Sequence, residues 1–165
     1  MQLPVYILTK KPINQLDDFR RLRIRAPGAY GQFLAKLGAH PVSLPWNAVY
    51  SNLKAGNIDG TIGSNLIDHR YGHHMEVANY MYPLPISGTQ VLPILVNKTA
   101  WQQLPKNLQA VVRGASALHA SEQLSKSRIW EQQAIEAMTL QGMQWSPAPD
   151  ESEMVTWQTT AEGLW

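Results

Sequence analysis

Two groups of residues in this sequence could do chemistry. The first is Asp68-His69-Arg70-Tyr71-Gly72-His73-His74-Met75-Glu76, which concentrates imidazoles and carboxylates in nine positions. On a helix, His69 and His73 are four apart and share a face, with Glu76 three residues further on, a spacing suited to a divalent metal. That would make the chain a small metal-dependent enzyme. Such a site also needs a further ligand held by the fold and a general base in a cleft, and no second paired motif supplies them. Surface histidines are the favoured reading and the enzyme is the alternative. The second group is built on Arg25, at the end of Leu22-Arg23-Ile24-Arg25 and just before Ala26-Pro27-Gly28. A guanidinium is a planar fork of donors that meets both oxygens of a carboxylate, which lysine cannot copy. By itself, an arginine there reads more readily as a surface residue paired with an acidic neighbour. Downstream, Gly63-Ser64-Asn65 offers hydroxyl and amide groups that could bind a carboxylate, a carbonyl or a hydroxyl, or could cap a following helix. It lacks the glycine flanks of a nucleophile elbow, and the chain has neither a phosphate-binding glycine loop nor a dinucleotide fingerprint.

The elements that must position these residues alternate between strand and helix. Val5 to Leu8 reads as a short buried strand, and Ile13 to Phe19 as a connector or single helical turn. Leu22 to Arg25 alternates apolar and charged residues, the period of a strand, and Pro27-Gly28 ends it at a loop mouth. Apolar residues from Tyr30 to Leu37 fall at helical spacing with Gly38 as the stop, and a brief strand follows around Pro41 to Leu44. Pro45 can open a helix that runs to Ala55 and closes at Gly56, before a strand over Ile58 to Ile62. Asn65 to Tyr82 reads as helix, and Thr89 to Val96 as an apolar strand. Asn97 caps a short helix containing Trp101. From Pro105 to Gly142 the helical spacing of Leu108, Val111, Val112, Ala115, Leu118, Trp130, Ala134 and Met138 predicts one helix on the order of 50 Å long. That exceeds what a domain of this size requires, so the helix is expected to span something larger. A capped final helix is expected over Glu153 to Leu164.

Composition narrows the function classes. The chain has 165 residues and 44% hydrophobic content, enough to bury a core. A net charge of +2 with dispersed Lys and Arg points to no nucleic acid and no membrane surface. The absence of cysteine excludes disulfides, thiolate nucleophiles and cysteine-ligated zinc. The first ten residues lack the segments of an export signal, and no apolar run approaches the roughly 20 residues of a membrane span.

The order of motifs carries a resemblance. Leu22-Arg-Ile-Arg25-Ala-Pro27-Gly28, Leu37-Gly38-Ala39-His-Pro41-Val42 and Trp46-Asn-Ala-Val49-Tyr50 through Gly56-Asn-Ile-Asp59-Gly60 succeed one another, followed by Glu76-Val77, Tyr80, Leu95-Val96-Asn97, Trp101 and Leu104-Pro105. In that order they resemble the DctP-type solute-binding proteins of TRAP transporters, over nearly the whole chain. The resemblance implies an α/β, periplasmic-binding-protein-like domain with a mixed sheet, flanking helices and one very long helix. Residues 1–165 are then the ligand-clamping second domain with hinge strands and the spanning helix, the signal peptide and most of the first domain being absent. It implies a periplasmic, non-enzymatic protein that binds an organic carboxylate and delivers it to a membrane permease. Arg25 matches the arginine that grips the carboxylate, and Trp46 an aromatic lining of the cleft. Gly28 and Ala29 match positions where backbone approaches the ligand, and Gly63, Ser64 and Asn65 lie in the selecting segment. Some members carry acidic residues suited to a bridging cation where Ile62 and Ser87 stand here, so no metal or other cofactor is expected. A lone half would expose apolar surface, from which self-association is expected.

Overall fold

The computed structural model describes residues 4–87 and 93–164. Six strands form one mixed sheet in the order β3-β2-β4-β1-β5-β6. These are β1 (Val5–Thr9), β2 (Arg23–Arg25), β3 (His40–Val42), β4 (Gly60–Ser64), β5 (Tyr80–Ser87) and β6 (Gln144–Trp145). β1 runs antiparallel to both neighbours, β4 and β5, whereas β2 is parallel to β3 and β4. The central strand β1 is buried on both faces, as its unbroken apolar run requires. Val5 and Ile7 enter one apolar layer, and Tyr6 and Leu8 face the other.

The connections decide which helix covers which face. From β2 the chain passes through α1 (Ala29–Lys36) out to β3, then through a 3₁₀ turn (Trp46–Ala48) and α2 (Val49–Ala55) back to β4 on the opposite side of β2. Parallel crossovers share one hand, so reversing direction places the two helices on opposite faces. The core residues follow: Phe33 and Leu34 of α1 join the first layer with Trp157 of α6 (Glu151–Glu162). Val49 and Leu53 of α2 join the second, with Leu66 of α3 (Leu66–Tyr71) and Ala134 and Met138 of α5 (Lys106–Leu140).

Helix α5 follows the short α4 (Lys98–Gln103) and has 35 residues, about 52 Å at 1.5 Å per residue. Its last third packs on the sheet; Leu108, Val111, Leu118 and Ile129 are exposed. Helix α6 begins at a reciprocal capping box between Asp150 and Glu153, two residues earlier than the spacing predicts. Among the described residues no helix is long and apolar enough to cross a membrane.

The main departure from the sequence reading lies between residues 65 and 87. The helix expected over Asn65–Tyr82 stops at Tyr71, and His73 adopts a left-handed conformation (φ 56°) that no helix continues. A single 3₁₀ turn (His74–Glu76) leads into β5, which pairs with β1 more than 70 residues away in sequence. Pro83 and Pro85 lie in this strand, where their missing N–H groups would have broken a helix. Strand β4 lies two residues later than expected, which brings Ser64 into the sheet. The first half of the expected strand over Thr89–Val96 lies outside the described residues, and its second half, Pro93 to Val96, is not a strand.

Candidate functional site

The fold creates a crevice where two neighbouring parallel strands send their chains to opposite faces. β2 is followed by α1 on the first face and β4 by α3 on the second, so the space beyond their carboxyl ends opens between β2 and β4. Such switch points are where open α/β sheets bind ligands. Arg25 ends β2, and Ser64 and Asn65 follow at the end of β4.

Arg25 is only 8% exposed and its guanidinium is held by backbone alone. Nε donates to the Leu44 carbonyl and Nη1 to the Ile62 carbonyl, both at 3.1 Å. A guanidinium has five N–H donors, and no carboxylate among the described residues lies within 4.0 Å to take the others. Burial pulls its pKa below the usual arginine value, yet an arginine in protein remains charged. The result is a fixed cation, oriented by two carbonyls, with no anion beside it among the described residues.

Three neighbours shape the space around it. The half-buried Trp46 ring lies 5.7 Å from the guanidinium carbon and forms an aromatic wall. Gly63 has φ +105°, and a Cβ there would sit 2.9 Å from Pro27 Cγ and 3.4 Å from Arg25 Nη1. Both the conformation and the crowding exclude a side chain. Gly28 (φ 56°) turns the chain into α1 with open space around it, so conformation alone selects glycine, and Ala29 is the exposed first residue of that helix. Ser64 and Asn65 are buried. The Asn65 side-chain oxygen accepts from the Asp68 amide at 3.0 Å, which is the capping role. Asn65 and Asp68 also line a groove of about 320 Å³ against Gln123, Ser127 and Trp130 of α5.

The histidines are arranged differently from the metal-site spacing. Because α3 ends at Tyr71, His69 and His73 do not share a face. His73 is exposed and its Nδ1 lies 3.1 Å from Glu76 Oε1, while Tyr50 donates to the other Glu76 oxygen at 2.8 Å. His69 is fully buried and faces His74 with their Nδ1 atoms 3.0 Å apart. Both rings pack on Trp46, at centroid distances of 5.8 and 4.7 Å. Burial pushes His69 down to about 3 and His74 to about 4, with the neighbouring Arg25 charge acting in the same direction. Two neutral rings therefore stand behind the tryptophan. No cluster of three metal-ligating side chains occurs among the described residues. Sequence reasoning missed His74 and the two carbonyls that hold Arg25; backbone acceptors leave no sequence signal, and an i, i+5 histidine pair has no regular-structure period.

Comparison with known proteins gives a consistent result. Residues 5–165 match the profile of bacterial extracellular solute-binding protein, family 7 (DctP). A monocarboxylate 2-oxoacid-binding periplasmic protein of Nostoc sp. is 33% identical over 109 residues, 65% of this chain and 30% of that protein. A solute-binding protein of Chromohalobacter salexigens is 29% identical over 128 residues, 75% of this chain and 36% of that protein. Among solved structures, a TRAP periplasmic solute-binding protein from Pseudomonas putida F1 with bound D-glucuronate superposes with TM-score 0.84 at 19% identity, over 98% of this chain and 51% of that one. Another, from Chromohalobacter salexigens with bound (S)-(+)-2-amino-1-propanol, gives 0.80 at 23%, over 99% and 51%. A Bordetella pertussis extracytoplasmic solute receptor binding pyroglutamic acid gives 0.82 at 22%, over 99% and 55%. At these identities the structures share the fold. The chain spans about a third of the curated relatives and about half of the structural ones.

Proposed function

We propose a receptor role from the premise that this chain belongs to the bacterial extracellular solute-binding proteins, family 7. In this reading the chain is the ligand-clamping half of a periplasmic receptor that captures an organic carboxylate and hands it to a TRAP membrane permease. The observation that carries it is Arg25: a buried cation, oriented by the Leu44 and Ile62 carbonyls, with no carboxylate partner among the described residues. An unpaired charge in that setting is costly, and a carboxylate ligand with its two oxygens is the natural counter-ion. Trp46 supplies a face for the carbon skeleton, Gly28, Ala29 and Gly63 leave room, and Ser64 and Asn65 stand at the neighbouring strand end. The Nostoc relative's 2-oxoacid, and the glucuronate and pyroglutamate of the structural neighbours, are all carboxylates. The 2-amino-1-propanol of the Chromohalobacter protein is not. No bond is made or broken; binding energy would instead offset the cost of domain closure in the complete receptor.

A thermal-shift screen against 2-oxoacids, pyroglutamate and hexuronates tests this, since a ligand of the folded state raises stability. The expected result is an upward shift with at least one acid that disappears in Arg25→Ala. A shift that persists in the variant would overturn the assignment of Arg25.

A further inference from the structure

The buried histidine pair is not accounted for by carboxylate capture. With 3.0 Å between the two Nδ1 atoms, one must donate and the other accept, so the rings cannot hold the same tautomer. Nε2 of His69 is fully buried without a hydrogen-bond partner among the described residues. If His69 accepted at Nδ1, that Nε2 would be an orphaned N–H, the rarer and costlier arrangement. If His69 donates, Nε2 is a bare lone pair in the field of Arg25, which favours it.

We infer that His69 and His74 are a positioning pair for Trp46: a neutral dyad of opposed tautomers, His69 carrying its proton on Nδ1, that fixes the aromatic wall beside Arg25. His74 meets the indole edge-on at 63° and 4.7 Å, and His69 supports it at 5.8 Å, so rotating either ring leaves Trp46 without its backing. The inference rests on the receptor reading only in taking that wall as part of a ligand site. The groups around the dyad keep it neutral. Arg25 faces it from β2 with a permanent positive charge, and His73 adjoins His74 in the turn. Asp68 adjoins His69 on α3, and burial raises its carboxyl above the ordinary aspartate value. The α5 residues lining the groove against α3 (Gln123, Ser127, Trp130 and Gln133) are uncharged, and Tyr50 and His73 engage Glu76.

The test uses the intact chain labelled with ¹⁵N-histidine and 5-fluorotryptophan, the Trp46 resonance being identified by its loss in Trp46→Phe. Long-range ¹H–¹⁵N spectra at pH 7 should show one Nδ1–H and one Nε2–H tautomer, with His69 the former, and neither ring charged at pH 6. Asparagine places its amide near the Nδ1 position and glutamine near Nε2. His74→Asn should therefore hold His69 as the Nδ1–H tautomer and keep the Trp46 fluorine signal sharp, shifted only by loss of the neighbouring ring, whereas His74→Gln or His74→Phe should broaden it. For pyruvate, pyroglutamate or D-glucuronate, whichever binds the wild type, the Gln or Phe variant should lose about tenfold in affinity, the worth of one hydrogen bond, and Asn should restore it. Like tautomers in both rings, a charged ring at pH 6, or a Trp46 signal indifferent to all three variants would overturn the inference. If no acid binds the wild type, the carboxylate reading falls and the two resonance measurements still decide the dyad.

Discussion

The two ends of strand β2 carry the same side chain in opposite circumstances. Arg23 and Arg25 are two residues apart and project from the same face of the sheet. Arg23 is closed off: Nε and Nη2 meet the two Asp59 oxygens at 3.0 and 2.8 Å, and Nη2 also donates to the Gly56 carbonyl at 2.7 Å. These bonds hold the Asp59 carboxyl below its ordinary range. Arg25 is buried more deeply, yet it has carbonyls and neutral rings where Arg23 has a carboxylate. An exposed pair on a surface contributes little stability, whereas a buried cation without a partner is a cost that only a ligand relieves. The difference separates an arginine that joins β2 to the turn before β4 from one that the proposed receptor role would use to bind a ligand.

The contrast can be broken in order of expected effect. Replacing Arg25 with Ala should weaken acid binding ~100-fold or more, the scale for truncating one partner of a buried, hydrogen-bonded charge pair. Its melting temperature should fall little or even rise, because an unpaired buried charge is removed; titration calorimetry and a thermal melt together check both parts. The second effect is pH dependence. The folded-state values of about 3 for His69 and 4 for His74 lie below the ordinary histidine value, so acid protonates the unfolded chain first. Stability should be full above about pH 6.5 and decline at about 1.4 kcal/mol per pH unit for each ring, down to about pH 4 for His74 and 3 for His69. Asp59 acts in the other window: its depressed value gives stability that persists through this range and is lost only below the ordinary aspartate value. Denaturant melts from pH 7 to 4 on wild type and Asp59→Asn should therefore show the same slope.

Next in size is Gly63→Ala. The strained φ and the 2.9 Å approach to Pro27 should cost about 1–3 kcal/mol and displace Arg25, lowering affinity with stability. Smallest is Arg23→Ala, which should lower the melting temperature slightly and leave acid binding unchanged.

The parts of this molecule legible in the sequence are those set by local chemistry. The alternation of Leu22 to Arg25 before Pro27-Gly28 placed Arg25 at a strand end, and the helical spacing after Pro105 anticipated α5. The turn before the last helix likewise announced a capped start, although the boundary of α6 moved by two residues to the Asp150–Glu153 box. What remained hidden depends on distant partners. The start of β5, Tyr80 to Tyr82, read as the end of a helix because Asn65 to Tyr82 has apolar residues at permissive spacings, and only pairing with β1 commits it to a strand. The dyad was concealed by the same error, since a continuous helix pairs His69 with His73, and the left-handed backbone at His73 delivers His74 instead. Even at the site, the sequence left the partner of Arg25 open; that no carboxylate among the described residues lies beside it appears only in three dimensions.

The most direct test of the account is calorimetric titration of Arg25→Lys and Arg23→Lys side by side with the wild type, using the acid that shifts its melting temperature most. Lysine retains the charge but lacks the planar fork. Loss of binding in Arg25→Lys with wild-type affinity in Arg23→Lys is the predicted result. Equal affinity in all three proteins would contradict a carboxylate grip at Arg25.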